Sequence, residues 1–219
     1  MKFNRVEKRN MIEIADILDI ENHISGFNAI IFDMDDTLYS EKEYIKSGYH
    51  EISKLFSDST YAERKLWALF LEGKRAIDEF LKQENMYSQE LKEACLREYR
   101  FQMPHIGLYD GVKELLEKLH LTYKLGLITD GRPEGQRAKI KALKLENYFD
   151  EIIVTDELGG PDFRKPNPKA FQIMKERLGE EYRRMCYVGD NIQKDFIAPE
   201  MLGMRSIWFR NPDGLYIND

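Results

Sequence analysis

The sequence predicts an α/β protein built on a doubly wound parallel sheet, with an all-helical segment inserted after the first strand. From about residue 111 onward, short apolar runs typical of strands alternate with segments of helical spacing. Between about residues 41 and 103 the alternation stops, and three stretches show helical spacing with no strand-like run among them. We therefore expect a core of residues 28–40 and 104–219, an inserted helical domain of residues 41–103, and an N-terminal helical extension of residues 1–27.

The first predicted strand, residues 29–32, is the apolar run Ala-Ile-Ile-Phe, and an acidic motif follows it directly. A run rich in β-branched and aromatic residues is typical of a buried strand. If the extended backbone continues beyond it, the side chains of Asp33 and Asp35 point the same way and can share one hard cation such as Mg²⁺. Carboxylates after a strand also serve as turn formers and helix caps, and the motif alone leaves both interpretations open.

Two further strand-like runs, over residues 123–128 and 185–188, also end in polar residues. Thr129 follows the first run, and Asp190 and Asp195 follow the second. Open parallel sheets bind their ligands at the carboxyl ends of the strands. We therefore expect these side chains to lie close to the acidic motif.

Four groups of polar residues thus succeed one another along the chain: Asp33 and Asp35, then Thr129, then Lys165, then Asp190 and Asp195. In this order the sequence resembles the four signature motifs of the haloacid dehalogenase-like (HAD) superfamily, over roughly residues 28–210. The resemblance implies a Rossmann-like core whose helical insert, residues 41–103, is a C1-type cap over the mouth of the sheet. It also implies a Mg²⁺-dependent phosphohydrolase that acts on a small phosphorylated metabolite.

The resemblance gives each motif residue a role. Asp33 matches the nucleophile that attacks phosphorus and forms an aspartyl-phosphate, and Asp35 matches the general acid/base. Thr129 matches the hydroxyl that holds a phosphoryl oxygen, and Lys165 matches the fixed positive charge that offsets the phosphate. Relatives that remove halide from carbon usually lack an acid at the second position, so Asp35 favours phosphorus chemistry.

The same resemblance implies a metal site. Mg²⁺ would be held by Asp33, Asp190 and the backbone carbonyl of Asp35. Asp195 is expected to act behind these ligands, through water or through Lys165. An N-cap of the following helix is an equally open role for Asp195.

Other catalytic outcomes and residues remain open at this stage. A phosphomutase would use the same core, a phosphonate hydrolase would need a cap lysine, and a binding module without activity would keep the fold alone. In the cap region Tyr39, Lys42 and Lys46 are candidates for selecting the leaving group. Outside it, Arg132 is a candidate substrate contact and His105 a residue near the return from cap to core, while Asp130 stands where many relatives carry asparagine.

Composition limits the class of protein. The chain has 219 residues, of which 42% are hydrophobic and 33% charged, as expected for a folded globular protein. A net charge of -6 argues against a nucleic-acid surface. No apolar run approaches the length of a membrane span, and the charged start of the chain does not resemble a signal peptide. We therefore expect a cytoplasmic protein whose Cys95 and Cys186 are reduced thiols.

The N-terminal extension departs from the usual plan of the family. Between residues 12 and 20, isoleucine and leucine alternate with charged residues in a pattern that predicts an amphipathic helix. Such a helix would either pack on the outer helices of the sheet or dock another protein or a second subunit. Either arrangement would place it away from the catalytic mouth.

Overall fold

The computed structural model describes residues 11–216, in which six strands form one sheet in the order β1-β6-β5-β2-β3-β4. The strands are β1 (Met11–Ile14), β2 (Ala29–Phe32), β3 (Lys124–Thr129), β4 (Glu151–Val154), β5 (Met185–Gly189) and β6 (Arg205–Phe209). Every pairing among these strands is parallel. β2 lies between β3 and β5, with Ile31 opposite Gly126 on one side and Tyr187 on the other. The predicted parallel sheet is confirmed.

Helices cover both faces of this sheet. The α-helices are α1 (Glu41–Ser53), α2 (Ser59–Leu71), α3 (Ala76–Gln83), α4 (Gln89–Arg100), α5 (Val112–His120), α6 (Pro133–Ala142), α7 (Lys169–Leu178) and α8 (Ile197–Leu202). Ile30 of β2 packs in one apolar cluster with residues of α5 and α6, whereas Ile31 packs in another with residues of α7 and α8. Because successive side chains of a strand point to opposite faces, β2 contributes to both layers. The fold is therefore doubly wound.

The insertion between β2 and β3 is helical, as the sequence predicts. Helices α1 to α4 enclose an apolar cluster of their own, whose fully buried members include Ile52, Leu66 and Leu81. Cys95 lies in this cluster and Cys186 in β5, and both are buried free thiols. Within residues 11–216, no helix combines the length and apolarity needed to cross a membrane.

The N-terminal segment corrects the prediction of an amphipathic helix. Met11–Ile14 is a strand that pairs with β6, with Ile12 opposite Ile207, and a short 3₁₀-helix, Ile17–Asn22, follows it. Without β1, the backbone groups on that side of β6 would lack strand partners, and short β-branched runs readily supply them. The strand before the acidic motif is consequently the second of the chain. Residues 1–10 of the predicted extension lie outside the described residues.

Candidate active site

The site lies where β2, β3 and β5 end side by side. The backbone N–H of Asp33 donates to the carbonyl of Val188 at 2.8 Å, which carries the pairing of β2 with β5 one residue beyond the strand. Thr129 is the last residue of β3, and Asp190 directly follows β5. All three side chains are buried. The convergence expected for parallel strands is thus what the sheet order produces.

Lys165 supplies the positive charge in the centre of this edge. Its Nζ lies 2.6 Å from Oδ1 of Asp33 and 2.8 Å from Oδ1 of Asp195, and it donates to the hydroxyl of Tyr187 at 2.9 Å. Burial by itself would lower the pKa of the lysine, but the charges of Asp195 and Asp33 outweigh it and raise the pKa well above its ordinary value. Lys165 is therefore a permanent cation.

Three buried carboxylates form a group that can hold a metal ion. One oxygen each from Asp33, Asp190 and Asp195 lies within 4.8 Å of the others. Burial raises the pKa of Asp33 to about 7, against the opposing charge of Lys165. Burial and the charges of the two neighbouring carboxylates raise the pKa of Asp190 to about 9. A bound cation would favour the charged form of both carboxylates and so lower their pKa values.

Asp190 differs from the other two carboxylates of the group in its contacts. Within residues 11–216 its carboxylate makes no ion pair or hydrogen bond, although the residue is buried. Its backbone carbonyl, in contrast, accepts a 2.8 Å hydrogen bond from Nε1 of Trp208, which anchors the loop. A buried acidic oxygen without a partner suits a hard cation such as Mg²⁺, which binds carboxylate oxygens. The donor set therefore fits the ion that the sequence predicts.

Asp195 is the most deeply buried of the three carboxylates. Its Oδ1 faces Lys165, and its Oδ2 accepts a 2.9 Å hydrogen bond from the backbone N–H of Asn191. Helix α8 begins at Ile197, with Phe196 at its N-cap position, so the interpretation of Asp195 as the cap of this helix is wrong. Its two oxygens instead orient Lys165 and close the loop after β5.

Asp35 lies apart from the three carboxylates. β2 ends at Phe32, and the side chain of Asp35 is directed to an ion pair with Lys139 at 2.7 Å rather than into the group around Asp190. Its Oδ1 also accepts the hydroxyl of Tyr39, and its Oδ2 accepts Nε2 of Gln136 at 2.9 Å. Burial works to raise the pKa of Asp35, but the charge of Lys139 and these hydrogen bonds lower it overall. The expectation that the Asp33 and Asp35 side chains share one cation is therefore not met.

Sequence reasoning missed Lys139 and Gln136. Both lie on α6 and are three residues apart, which places them on one face of the helix. Gln136 also donates to Oγ1 of Thr129, and the Lys139 Nζ lies 4.2 Å from the ring centre of Tyr44. The helical spacing of α6 shows which residues share a face, but it gives no sign that this face meets Asp35.

Asp130, which directly follows Thr129 at the end of β3, joins three loops. Its carboxylate accepts the hydroxyl of Thr155 at 3.0 Å and the backbone N–H of Lys165 at 3.1 Å, and it pairs with Lys194 at 3.0 Å. Although burial works in the opposite direction, the charges of Lys165 and Lys194 lower its pKa. Asp130 therefore positions the loop that carries Lys165.

Asp36 connects the acidic motif to the cap and to the C-terminal segment. It adopts a left-handed backbone conformation with φ 50°, which a short polar side chain tolerates. Its two carboxylate oxygens accept the backbone N–H groups of Glu41, the first residue of α1, and of Leu215, each at 2.8 Å. Leu215 in turn packs against the apolar cluster of the cap. Asp36 is thus a structural junction beside the site.

Most of the other sequence candidates lie away from these carboxylates. Tyr39 is buried against Asp35 and so contributes to positioning that group. Lys42 pairs with Asp213 at 3.7 Å, and the Nζ of Lys46 lies 4.6 Å from the ring centre of Trp67. The backbone N–H of His105 donates to Ser47, at an open cleft on the cap side that Lys46 also lines. Arg132 lines a cavity beside Gln136 and Lys139.

The comparison with known families agrees with this geometry. Residues 30–209 match the family of haloacid dehalogenase-like hydrolases, and the chain belongs to that family.

Named relatives and a solved structure extend the match. A glyceraldehyde 3-phosphate phosphatase of Methanocaldococcus jannaschii is 28% identical over 196 residues, which cover 81% of this chain and 82% of that enzyme. An enzyme of the same name from Pyrococcus abyssi is 33% identical over 101 residues, or 46% of this chain and 41% of the length of that enzyme. The HAD-hydrolase YfnB of Bacillus subtilis, solved with magnesium bound, superposes with a TM-score of 0.63 at 20% identity, covering 84% of this chain and 87% of that one.

Proposed function

We propose that this protein hydrolyses a small phosphomonoester with the help of Mg²⁺, through an aspartyl-phosphate on Asp33. The observation that carries the proposal is the buried Asp33 carboxylate, which pairs with the fixed charge of Lys165 at 2.6 Å and belongs to one group with the carboxylate of Asp190. Phosphoryl transfer depends mainly on positioning and on neutralising charge, and this arrangement provides for both. The phosphatases among its relatives support a small phosphorylated substrate.

The reaction divides into two halves. In the first, an oxygen of Asp33 attacks phosphorus, the bond from phosphorus to the leaving oxygen breaks, and Asp35 passes a proton to that oxygen. In the second, Asp35 takes a proton from water, which attacks the aspartyl-phosphate and releases inorganic phosphate. The ion pair with Lys139 favours the charged form of Asp35, which is the form needed to activate water.

Thr129 and Lys165 would hold the oxygens of the transferred group, since both lie at the same strand ends as Asp33. Gln136 orients Thr129 and Asp35 together, because its amide donates to both. Mg²⁺, held by Asp33, Asp190 and the backbone carbonyl of Asp35, would supply further charge neutralisation on the phosphate.

Replacement of Asp33 with asparagine tests the proposal. An amide is a poor nucleophile and carries no charge for a metal, so kcat for p-nitrophenyl phosphate should fall by roughly 10⁴-fold. Phosphate release with Mg²⁺ and with EDTA is the measurement, followed by a panel of phosphorylated sugars, nucleotides and small acids. Asp19→Asn, at an exposed position of the N-terminal 3₁₀-helix, is the control and should keep wild-type activity. A tenth of the wild-type kcat in Asp33→Asn, or full activity after exhaustive metal removal, would refute the assignment.

A further inference from the structure

A cavity of about 460 Å³ lies between the cap and the core, next to Asp35. This volume lies within the range of small-molecule sites. Its walls include Tyr44, Tyr99 and Arg100 on the cap side and Arg132, Gln136 and Lys139 on the core side. The cavity is therefore bounded by both domains.

The position of this cavity relates it to the leaving group. Gln136 and Lys139 line it, and the same two side chains donate to the carboxylate of Asp35 at 2.9 and 2.7 Å. In the proposed reaction Asp35 gives its proton to the leaving oxygen. The rest of the leaving group would then lie close to this cavity, whose walls include the two side chains that hold Asp35.

The charges on the walls differ in sign from the protein as a whole. Arg100 ends α4, and Arg132 precedes α6, so each domain contributes one guanidinium group. Neither arginine makes an ion pair or hydrogen bond to any residue between 11 and 216. Lys139 is balanced by Asp35, and Glu134 is the one acid on the lining. The lining thus carries a net positive charge in a chain whose formal charge is -6.

The remaining wall is aromatic. The rings of Tyr44 and Tyr99 meet edge to face, with their centres 5.7 Å apart. They offer an apolar surface to a short carbon chain, while guanidinium groups bind carboxylates and phosphates through paired hydrogen bonds. These walls match a leaving group with a few carbons and an anionic end.

We propose that the substrate is a phosphomonoester whose leaving group carries a second anionic group, bound in this cavity by Arg132 and Arg100. This inference rests on the proposed function, and it names the class of substrate: a phosphorylated acid or a bisphosphate, in preference to a neutral alcohol phosphate. The arginines would bind a carboxylate and a second phosphate through the same kind of hydrogen bonds. Two matched pairs of ligands distinguish between these two anionic groups.

Binding to the Asp33→Asn variant tests the proposal without turnover. Isothermal titration in Mg²⁺ compares 3-phosphoglycerate with glycerol 3-phosphate, and propane-1,3-diol bisphosphate with 3-hydroxypropyl phosphate. In at least one pair the charged member should bind roughly ten- to hundredfold more tightly, as expected for a hydrogen-bonded charge. The pair with the larger ratio identifies the anionic group.

Arginine variants made in the Asp33→Asn protein test whether the ratio of dissociation constants within each ligand pair depends on the cavity. Arg132→Gln and Arg100→Gln should each reduce the ratio of dissociation constants about fivefold or more, and the double variant should bring it close to one. Arg132→Lys and Arg100→Lys should retain part of it, because a cation remains. Arg97→Gln is the matched control, since Arg97 lies one turn earlier on α4, is exposed and does not line the cavity. Circular dichroism checks the fold of each variant.

The outcomes separate this inference from the proposed function. Equal binding of both members in both pairs, no binding of any of them, or a ratio that survives in the double variant would overturn the second-anion site. Failure of the wild-type protein to hydrolyse any phosphomonoester would instead refute the proposed function, while the ratio of dissociation constants would still decide the binding site.

Discussion

Replacing Lys165 with methionine removes the ammonium group between Asp33 and Asp195 and leaves an apolar chain of similar length. The Nζ lies 2.6 and 2.8 Å from the two carboxylates, and the side chain is wholly buried. Removal of one partner from a buried ion pair typically costs about 3–5 kcal/mol. We therefore expect a loss of about 4 kcal/mol.

For a chain of this size, such a loss lowers the melting temperature by roughly 8–16 °C. Urea unfolding followed by circular dichroism, in EDTA at pH 7, measures the free energy directly. Lys82→Met is the control, because Lys82 is exposed on α3 and pairs with Glu79 at 3.2 Å, a contact whose loss should change stability by about 0.5 kcal/mol or less.

The pH dependence of the Lys165→Met deficit has a definite sign. In the variant a buried carboxyl holds its proton to a higher pH when folded than when unfolded, so the folded state binds more protons and loses stability as pH rises. The deficit should therefore shrink on acidification from pH 9 to pH 7, by up to about 1.4 kcal/mol per pH unit, and change little below pH 7, where Asp33, with its pKa of about 7, holds its proton with or without Lys165. A loss under about 1 kcal/mol at pH 7, or a deficit that does not change with pH, would refute the reasoning.

Three further predictions follow from the site and from the N-terminal segment. Mg²⁺ affinity should rise between pH 6 and pH 9, because the pKa values of about 7 for Asp33 and about 9 for Asp190 require protons to leave as the cation binds. Calorimetry in two buffers of different ionisation enthalpy counts those protons, and an affinity independent of pH would contradict the prediction. Lys139→Met should lower kcat about 10²-fold for alkyl and aryl phosphates alike, because the ion pair favours the charged Asp35 that activates water against the aspartyl-phosphate; single-turnover kinetics with a loss confined to the alkyl phosphate would count against it. Ile20→Ala should reduce the free energy of unfolding by about 2–4 kcal/mol, because Ile20 is fully buried in the main core; urea unfolding with less than 1 kcal/mol of loss would contradict that packing.

The strand ends that form the site were accessible from sequence because their signals are local. Each apolar run is short and β-branched or aromatic in part, and each is followed within a few residues by a polar group. Parallel strands place their carboxyl ends together, so the order of the motifs was enough to expect Asp33, Thr129 and Asp190 at one edge. The catalytic roles of these residues stay predictions, which the variants above address.

The N-terminal segment shows where local signals fail. The run Met-Ile-Glu-Ile and its neighbours fit a helix and a strand about equally well over so short a length. A strand forms because β6 offers an unpaired row of backbone groups, and that row exists only once the sheet has assembled. The strand conformation of this segment therefore depends on a partner about 195 residues away in sequence, since Met11 pairs with Ser206.

The sequence by itself determined the parallel α/β core, the helical insertion and the set of acidic, hydroxyl and lysine side chains at the strand ends, because hydrophobic periodicity and strand-end motifs are properties of neighbouring residues. Only the tertiary structure decided that Asp35 pairs with Lys139, more than 100 residues further along the chain, and that Arg100 and Arg132 line one cavity. Those contacts depend on how α6 packs against the sheet and how the cap meets the core. Helical spacing defines the face of a helix, but it does not identify what that face will meet.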